Sequence, residues 1–413
     1  MFVPSRRLSR PTAFWSVAVL LVLMLAASGV PSPLYRVYQE EFGFSSGVLT
    51  AIFGIYSFAL LASLLVVGGL SDHVGRRPVL VAAFLLEAVS MALFLVSDGV
   101  GWLLAARVVQ GLATGALTST LGAARLDLQN RERPLGAFIN SASPGLGLSL
   151  GAAGAGLLVQ FVPSPTDWVF AVLTVVFVLA SVGTMLLLPE TSPRLPGARA
   201  SLRPRVHVPP AHRRPFLVAL PVLVAAWATG GLYASLGPSL LVDVFGIDNH
   251  LAGGLLILAL NGTGVFGSLA LRRSAPERAL ALGSVVFAVG VAGTVLALFL
   301  GSVTVLFVAA VVTGFAFGAA FLGAVATITA GVDGGHRAGL LAAIFVVGYL
   351  AFSVPAIAAG IAAEGIGLER TAEIFGIAVI VLSLSAAAGQ ALRRRRDTAP
   401  LPAADEDTPA FAA

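Results

Sequence analysis

Apolar runs of about 20 residues alternate with short polar breaks along nearly the whole chain. Twelve are read, near residues 14–34, 48–70, 79–97, 100–123, 136–161, 167–188, 216–240, 251–271, 279–300, 303–328, 339–363 and 372–392. Each is about as long as a helix must be to cross the hydrocarbon of a bilayer. The runs are apolar on all sides rather than at every second position, which predicts helices and excludes a barrel of alternating strands. The expected fold class is an all-α integral membrane protein with twelve transmembrane helices arranged as two pseudo-symmetric six-helix bundles.

The longest internal polar stretch, Glu190 to Arg214, is rich in proline and arginine and splits the runs six and six. The predicted organisation is an N-terminal segment 1–13, a first bundle 14–189, a central loop 190–215, a second bundle 216–392 and a Pro/Ala/acid-rich tail 393–413 that reads as disordered. The halves also repeat. Ala27-Ser28-Gly29-Val30-Pro31-Ser32-Pro33-Leu34 aligns with Ala234-Ser235-Leu236-Gly237-Pro238-Ser239-Leu240-Leu241, and Gln110-Gly111-Leu112-Ala113-Thr114-Gly115-Ala116 with Thr313-Gly314-Phe315-Ala316-Phe317-Gly318-Ala319. The two offsets, 207 and 203, are both about half the chain. Duplicated bundles of this kind are typical of secondary transporters, with a site between the repeats near mid-membrane.

Composition sharpens the membrane reading. Of 413 residues, 57% are apolar and 11% charged, against about 25% charged in a soluble domain. The bilayer is therefore the expected solvent and partner. All 25 basic residues are arginine, which with the Ala, Gly and Pro richness is a codon signature of a GC-rich bacterial genome. With the N-terminus inside, 22 arginines fall in cytoplasmic segments, Arg36 and Arg370 outside, and Arg107 within a span. By the positive-inside rule both termini are expected in the cytoplasm, of a protein in the plasma membrane. The central-loop arginines also suit anionic lipid heads. Arg6, Arg7 and Arg10 before an apolar run ending near Ala26-Ala27-Ser28 imitate a signal peptide, but eleven more spans follow, so an uncleaved first helix is expected. There is no cysteine and no lysine, so thiolate metal sites, thiol catalysis and a lysine-bearing phosphate loop are excluded. The five histidines have no metal-ligand spacing, and no hydrolase motif is present, so neither cofactor, metal, nucleic acid nor enzymatic activity is expected.

The break between spans two and three reads Gly68-Gly69-Leu70-Ser71-Asp72-His73-Val74-Gly75-Arg76-Arg77-Pro78-Val79-Leu80. Gly75 permits a tight turn, the arginines suit a phosphate or carboxylate, and Asp72 suits the N–H groups of a helix N-terminus. The wording G-x-L-x-D-x-x-G-R-R-x-x-L resembles the signature loop of the major facilitator superfamily. The resemblance covers nearly all of residues 12–392, and the chain resembles the bacterial, actinobacterial-type drug–proton antiporter branch. It implies a conformational latch formed by Gly68, Asp72, Gly75, Arg76, Arg77 and Asp127. Asp72 would face the start of span eleven near Gly339, and Arg76 or Arg77 would reach Asp127. The second-half loop, Gly267-Ser268-Leu269-Ala270-Leu271-Arg272-Arg273, has Leu271 at the acid's place, so the latch is one-sided.

Arg107 lies seven residues inside span four, roughly 10 Å deep at about 1.5 Å per residue. An intramembrane charge marks a functional site unless it simply bridges helices. Its run, Arg107-Val108-Val109-Gln110-Gly111-Leu112-Ala113-Thr114-Gly115, resembles the superfamily's R-x-x-Q-G-x-G, whose arginine is tied to proton transfer or substrate release. Ala310 is the second-half counterpart. Glu87 is the one acid in the interior of any span and falls within about a turn of Arg107 in depth, so the two could pair. A buried carboxyl is a candidate proton carrier or a static partner for the arginine.

Small residues in spans four and five, Gly111, Gly115, Gly147 and Gly151, allow close helix contact, and Pro144 suits a bend, with Pro355 as its counterpart in span eleven. Ser143-Pro144-Gly145-Leu146-Gly147-Leu148 is a degenerate form of the antiporters' G-P-x-x-G-G. Trp168-Val169-Phe170 and Pro189-Glu190-Thr191 also resemble family landmarks; alone they read as an interfacial aromatic and a helix stop. Tyr56, Gln110, Thr114, Asn140, Trp227, Tyr233, Asn261 and Tyr349 are candidates for a mostly neutral substrate cavity suited to a bulky apolar small molecule, or for helix packing. The resemblance implies proton-coupled efflux of hydrophobic drugs or natural products by alternating access in a monomer, with protons as the coupling ion. An uptake or exchange porter for a sugar or metabolite, and a non-transporting sensor, are the alternatives.

Overall fold

The computed structural model describes residues 7–130 and 136–397, with the side chains of 136–142 and 394–397 left aside. Arg6, Arg131, Arg133, the Asn140 side chain and the tail beyond Asp397 thus lie outside the described residues. Among the described residues, twelve helices are long and apolar enough to cross a membrane. They are α1 Arg10–Phe42, α2 Ser46–Val67, α3 Arg76–Leu95, α4 Val100–Leu128, α5 Gly136–Phe161 and α6 Pro165–Leu187. The second six are α7 Arg213–Asp243, α8 His250–Leu271, α9 Pro276–Leu300, α10 Val303–Thr329, α11 Gly334–Ile366 and α12 Leu368–Asp397. An even number of passes puts both ends of the described chain, the Gly68–Arg77 loop and the central loop on one face, here the loop face; the other is the far face.

Helix ends follow local chemistry. Side chains of Ser9, Ser45, Asn249, Ser302 and Asp333 each accept a backbone N–H at a helix start. Gly43, left-handed at φ 65°, ends α1. This helix runs eight residues past the expected end at 34 because its last part is amphipathic rather than apolar: Tyr35 and Tyr38 are buried while Glu40 and Glu41 are exposed. Hydropathy alone misses such a segment.

The repeat seen in the sequence is also a repeat of packing. A Cβ on Gly111 would meet the Tyr56 carbonyl and one on Gly115 the Leu60 carbonyl, so α4 lies backbone to backbone on α2. In the second half, Gly314 and Gly318 meet the Leu260 and Gly264 carbonyls in the same way, 203 to 204 residues later. This register puts Pro355 opposite Gly151 and not, as expected, opposite Pro144. The α5 helix continues through Pro144, and beside it Gly145 abuts the Asn261 carbonyl of α8. Gly147 and Gly151 press on Leu25 and Ala26 of α1.

Between the bundles, the contacts cluster from mid-membrane to the far face. There α2 meets α11 through Phe53–Phe352, with ring centroids 5.0 Å apart, Gly54–Ile357 and Thr50–Gly360. Helix α5 meets α8 through Gly156–His250 and Gly254–Ala152. Arg36 and Asp243 pair across the far ends of α1 and α7 at 3.1 Å. On the loop face, among the described residues, the central loop connects the bundles: Leu195 N–H donates to the Asp72 carbonyl at 3.0 Å, and His207 N–H to the Gly339 carbonyl at 3.2 Å.

Candidate functional site

Residues 107, 110 and 114 share one face of α4 because helical neighbours recur every three to four positions. That face turns into the first bundle, and Arg107, Gln110, Thr114 and Glu87 of α3 are all fully buried there. The Arg107 guanidinium donates to Gln110 Oε1 at 2.6 Å. Gln110 Nε2 donates to the Ala27 carbonyl at 3.2 Å and faces Glu87 Oε1 at 3.4 Å. Thr114 Oγ1 lies 3.5 Å from Glu87 Oε2. Arginine and glutamate therefore do not pair directly; one amide stands between them. Ser90 Oγ, donating to the Ala106 carbonyl at 2.8 Å, ties α3 to α4 beside this network.

Three aromatic rings cover the guanidinium. Its central carbon is 4.5 Å from the Tyr56 ring, 5.4 Å from Tyr35 and 6.0 Å from Phe53. A desolvated cation over such a face gains up to about 2 kcal/mol per ring, and a charged hydrogen bond contributes about 1.5–3 kcal/mol. Together these offset much of the cost of holding an arginine out of water. The Arg107 Nε has no partner among the described residues. Tyr35, which no sequence signal singled out, completes the enclosure because α1 continues as a helix past residue 34 and buries this side chain.

The second bundle has nothing equivalent at the same places. Ala310 stands for Arg107, Thr313 for Gln110 and Gly290 for Glu87, and a Cβ on Gly290 would collide with Thr313 Oγ1. There α9 and α10 close directly on each other; in the first bundle the space holds ionisable side chains. The polar network is an addition to the scaffold and not a requirement of it.

Opposite lies an aromatic wall in the second bundle. Trp227 of α7 packs edge-on to Tyr349 at 5.1 Å and to Phe321 and Phe352 at 6.1 Å each. Its indole N–H has no partner among the described residues. Phe352 also meets Phe53, so the wall reaches the rings that cover Arg107. Tyr233, expected in the same cavity, points elsewhere: its hydroxyl bonds Thr294 of α9 at 2.7 Å, inside the second bundle. The reason is the α-helical period, which carries Tyr233 six positions, or about 240°, round from Trp227. Asn261 donates to its own helix at Ile257.

At the loop face, Arg76 reaches Asp127 Oδ2 at 3.2 Å, Asp72 Oδ1 at 2.5 Å and Ser71 Oγ at 2.6 Å. Arg77 donates to the Met185 carbonyl of α6. Gly75, at φ 112°, makes the turn, and a Cβ there would fall 2.6 Å from Glu190 Oε2. Gly68 continues α2 and abuts Ser119. Asp72 does not face Gly339 as expected. The latter meets Arg205 and His207 of the central loop, which lies between the bundles at this face.

Glu190, read from sequence as part of a helix stop, is a central residue of this cluster. Its carboxylate accepts the N–H groups of Arg76 and Arg77 at 2.8 and 3.3 Å, capping α3, and those of Thr191 and Ser192 at 3.0 and 3.1 Å. Partial burial works against its ionisation, but these four N–H groups outweigh it and hold the carboxyl below the usual carboxylate range. No signal within the Gly68–Arg77 loop could have found it, since Glu190 approaches from 114 residues away.

The comparisons agree with this architecture. The profile described as Major Facilitator Superfamily matches residues 17–356. Among curated proteins, the class C tetracycline resistance protein of Escherichia coli is 34% identical over 124 residues, which is 30% of each chain. Among solved structures, a bacterial homologue of the human lysosomal transporter Spinster, inward-facing and unoccupied, superposes with TM-score 0.75 over 95% of this chain and 99% of that one, at 14% identity. The human organic anion transporter MFSD10 gives 0.65 over 92% and 100% at 19% identity, and a point mutant of the nucleoside transporter NupG 0.72 over 91% and 99% at 12%.

Proposed function

Because the chain belongs to the Major Facilitator Superfamily, and so is a multi-pass secondary transporter rather than an enzyme, we propose that it exports apolar drugs or natural products in exchange for protons. The loop face is then cytoplasmic and the membrane is the plasma membrane, as arginine placement supports. The observation that carries the reading is the sealed Glu87–Gln110–Arg107 network in one bundle only.

Charge balance supplies the mechanism. With Glu87 ionised, the pocket is neutral overall; with Glu87 protonated, it carries the uncompensated charge of Arg107. In this conformation Glu87 and Arg107 are both fully buried, so the charge each holds depends on the other and on the exclusion of solvent. Opening toward the far face would hydrate the pocket. The two conformations therefore differ in proton affinity, which is the condition for coupling. The Trp227–Tyr349–Phe352 wall offers aromatic faces and little charge, which suits a bulky apolar substrate. The tetracycline resistance relative, although it matches over 30% of its length, fits an efflux assignment.

The test is accumulation of a fluorescent lipophilic dye in efflux-deficient cells, with and without a protonophore. Wild type is expected to lower dye content, and protonophore, Arg107→Ala and Glu87→Gln each to abolish the effect at equal membrane expression. Full activity in Glu87→Gln would remove the coupling role. No difference between wild type and empty cells would refute export of general lipophilic compounds.

A further inference from the structure

At the far face the two bundles hold each other by a matched pair of helix caps. Glu364, near the end of α11, accepts the Gly47 N–H at the start of α2 at 2.8 Å. Gln160, at the end of α5, accepts the His250 N–H at the start of α8 at 3.2 Å. The capping residues are 204 positions apart, and the capped amides 203, the offset of the internal repeat. The backbone around them repeats too. Gly360 presses on the Ser46 carbonyl as Gly156 presses on that of His250, with built Cβ distances of 2.7 and 2.6 Å. In each case a side chain of one bundle satisfies an N–H group that the other bundle's helix leaves open at its start.

We infer that these crossed caps, Glu364 on α2 and Gln160 on α8, are the gate that holds the far face shut, with unequal strength in its two arms. The inference rests on the alternating-access reading above. Both caps span the bundle interface, so rocking the bundles apart at the far face breaks both at once. The Glu364 arm carries a carboxylate at a helix N-terminus, where the helix dipole favours an anion; the Gln160 arm carries a neutral amide. The Arg36–Asp243 pair, at 3.1 Å, joins α1 to α7 at the same face and, like the exposed Glu364 and Gln160 side chains, is open to screening. Glycine at positions 156 and 360 is needed for this closure, since any side chain would hold the helices apart.

The chain has no cysteine, so a spin-label pair can be placed cleanly at Asp98→Cys, in the far-face loop between α3 and α4, and Leu300→Cys, at the far-face end of α9. Pulsed electron paramagnetic resonance on the purified full chain in lipid nanodiscs, without substrate, reads the ratio of short to long distances. Loss of the Glu364 cap is expected to change that ratio about fivefold toward the long distance, loss of the Gln160 cap by less, and loss of both by about the product of the two. Glu364→Ala should exceed Gln160→Ala in effect, Glu364→Gln should lie between wild type and Glu364→Ala, and Gln160→Glu should favour the short distance. Unchanged distributions in all variants, or a wild type already at the long distance, would overturn the inference. Because no transported compound enters this measurement, its failure and a failure of the export reading are told apart: a shifted gate in a protein that moves no dye refutes only the latter.

Discussion

Replacing Gln110 with leucine removes the amide that separates Arg107 from Glu87 while keeping nearly the same volume. Three bonds go: the charged one from Arg107 at 2.6 Å, the one to the Ala27 carbonyl at 3.2 Å and the long one to Glu87 at 3.4 Å. The first is the strongest, since its donor is ionised and Arg107 has no water to turn to. Leaving that donor unsatisfied costs about 1.5–3 kcal/mol, and the freed carbonyl and carboxylate acceptors add about 1 kcal/mol, for a total of about 2.5–4 kcal/mol. The matching change in the second bundle, Thr313→Ala, deletes a buried hydroxyl that has no partner among the described residues, so its cost should stay within about 1 kcal/mol. Equilibrium unfolding in mixed detergent micelles, followed by tryptophan fluorescence, compares the two. Gln110→Leu within about 0.5 kcal/mol of wild type, the limit for a neutral site, or no milder result for Thr313→Ala, would refute the idea that the network is held together by Gln110.

Two further predictions concern the loop face. Gly75→Ala forces a non-glycine residue to φ 112° and sets its Cβ against Glu190, so it should lower stability by about 1–3 kcal/mol, whereas Gly154→Ala, with open space around it, should be neutral or stabilising; equal thermal shifts would contradict this. Glu190, whose ionisation is favoured in the folded state, contributes stability fully present above its ordinary value of 4.5 and lost as pH falls through its lower folded value. Thermal melts below pH 4.5 should therefore fall more steeply for wild type than for Glu190→Gln, and parallel acid limbs would exclude the cap as a contributor.

The twelve helices could be read from the sequence because lipid demands long apolar runs, a demand each segment meets by itself. The stripe of Arg107, Gln110 and Thr114 was legible for a similar reason: spacing along one helix fixes a shared face. What stayed hidden depends on contacts between distant segments. Tyr35 lies in an amphipathic stretch that hydropathy undervalues, and its ring covers Arg107 only because α1 extends to Phe42. Glu190 looks like the end of a helix until α6 delivers it to the start of α3. Helix membership alone puts Tyr233 in the central cavity, although its position on the helix turns it toward Thr294. Resemblance assigns Asp72 to α11, but here its side chain pairs with Arg76 and its carbonyl receives Ser192 and Leu195.

The most direct test of the account follows protons in liposomes. Purified protein is reconstituted with a pH-sensitive dye inside, a lipophilic substrate established by the cell assay is added, and internal pH is recorded for wild type, Glu87→Gln and Arg107→Ala. The account predicts substrate-driven proton movement in wild type and none in Glu87→Gln, with substrate exchange between the two sides retained in that variant. Proton movement in Glu87→Gln at the wild-type rate would contradict it, because the buried carboxyl would then have no part in coupling.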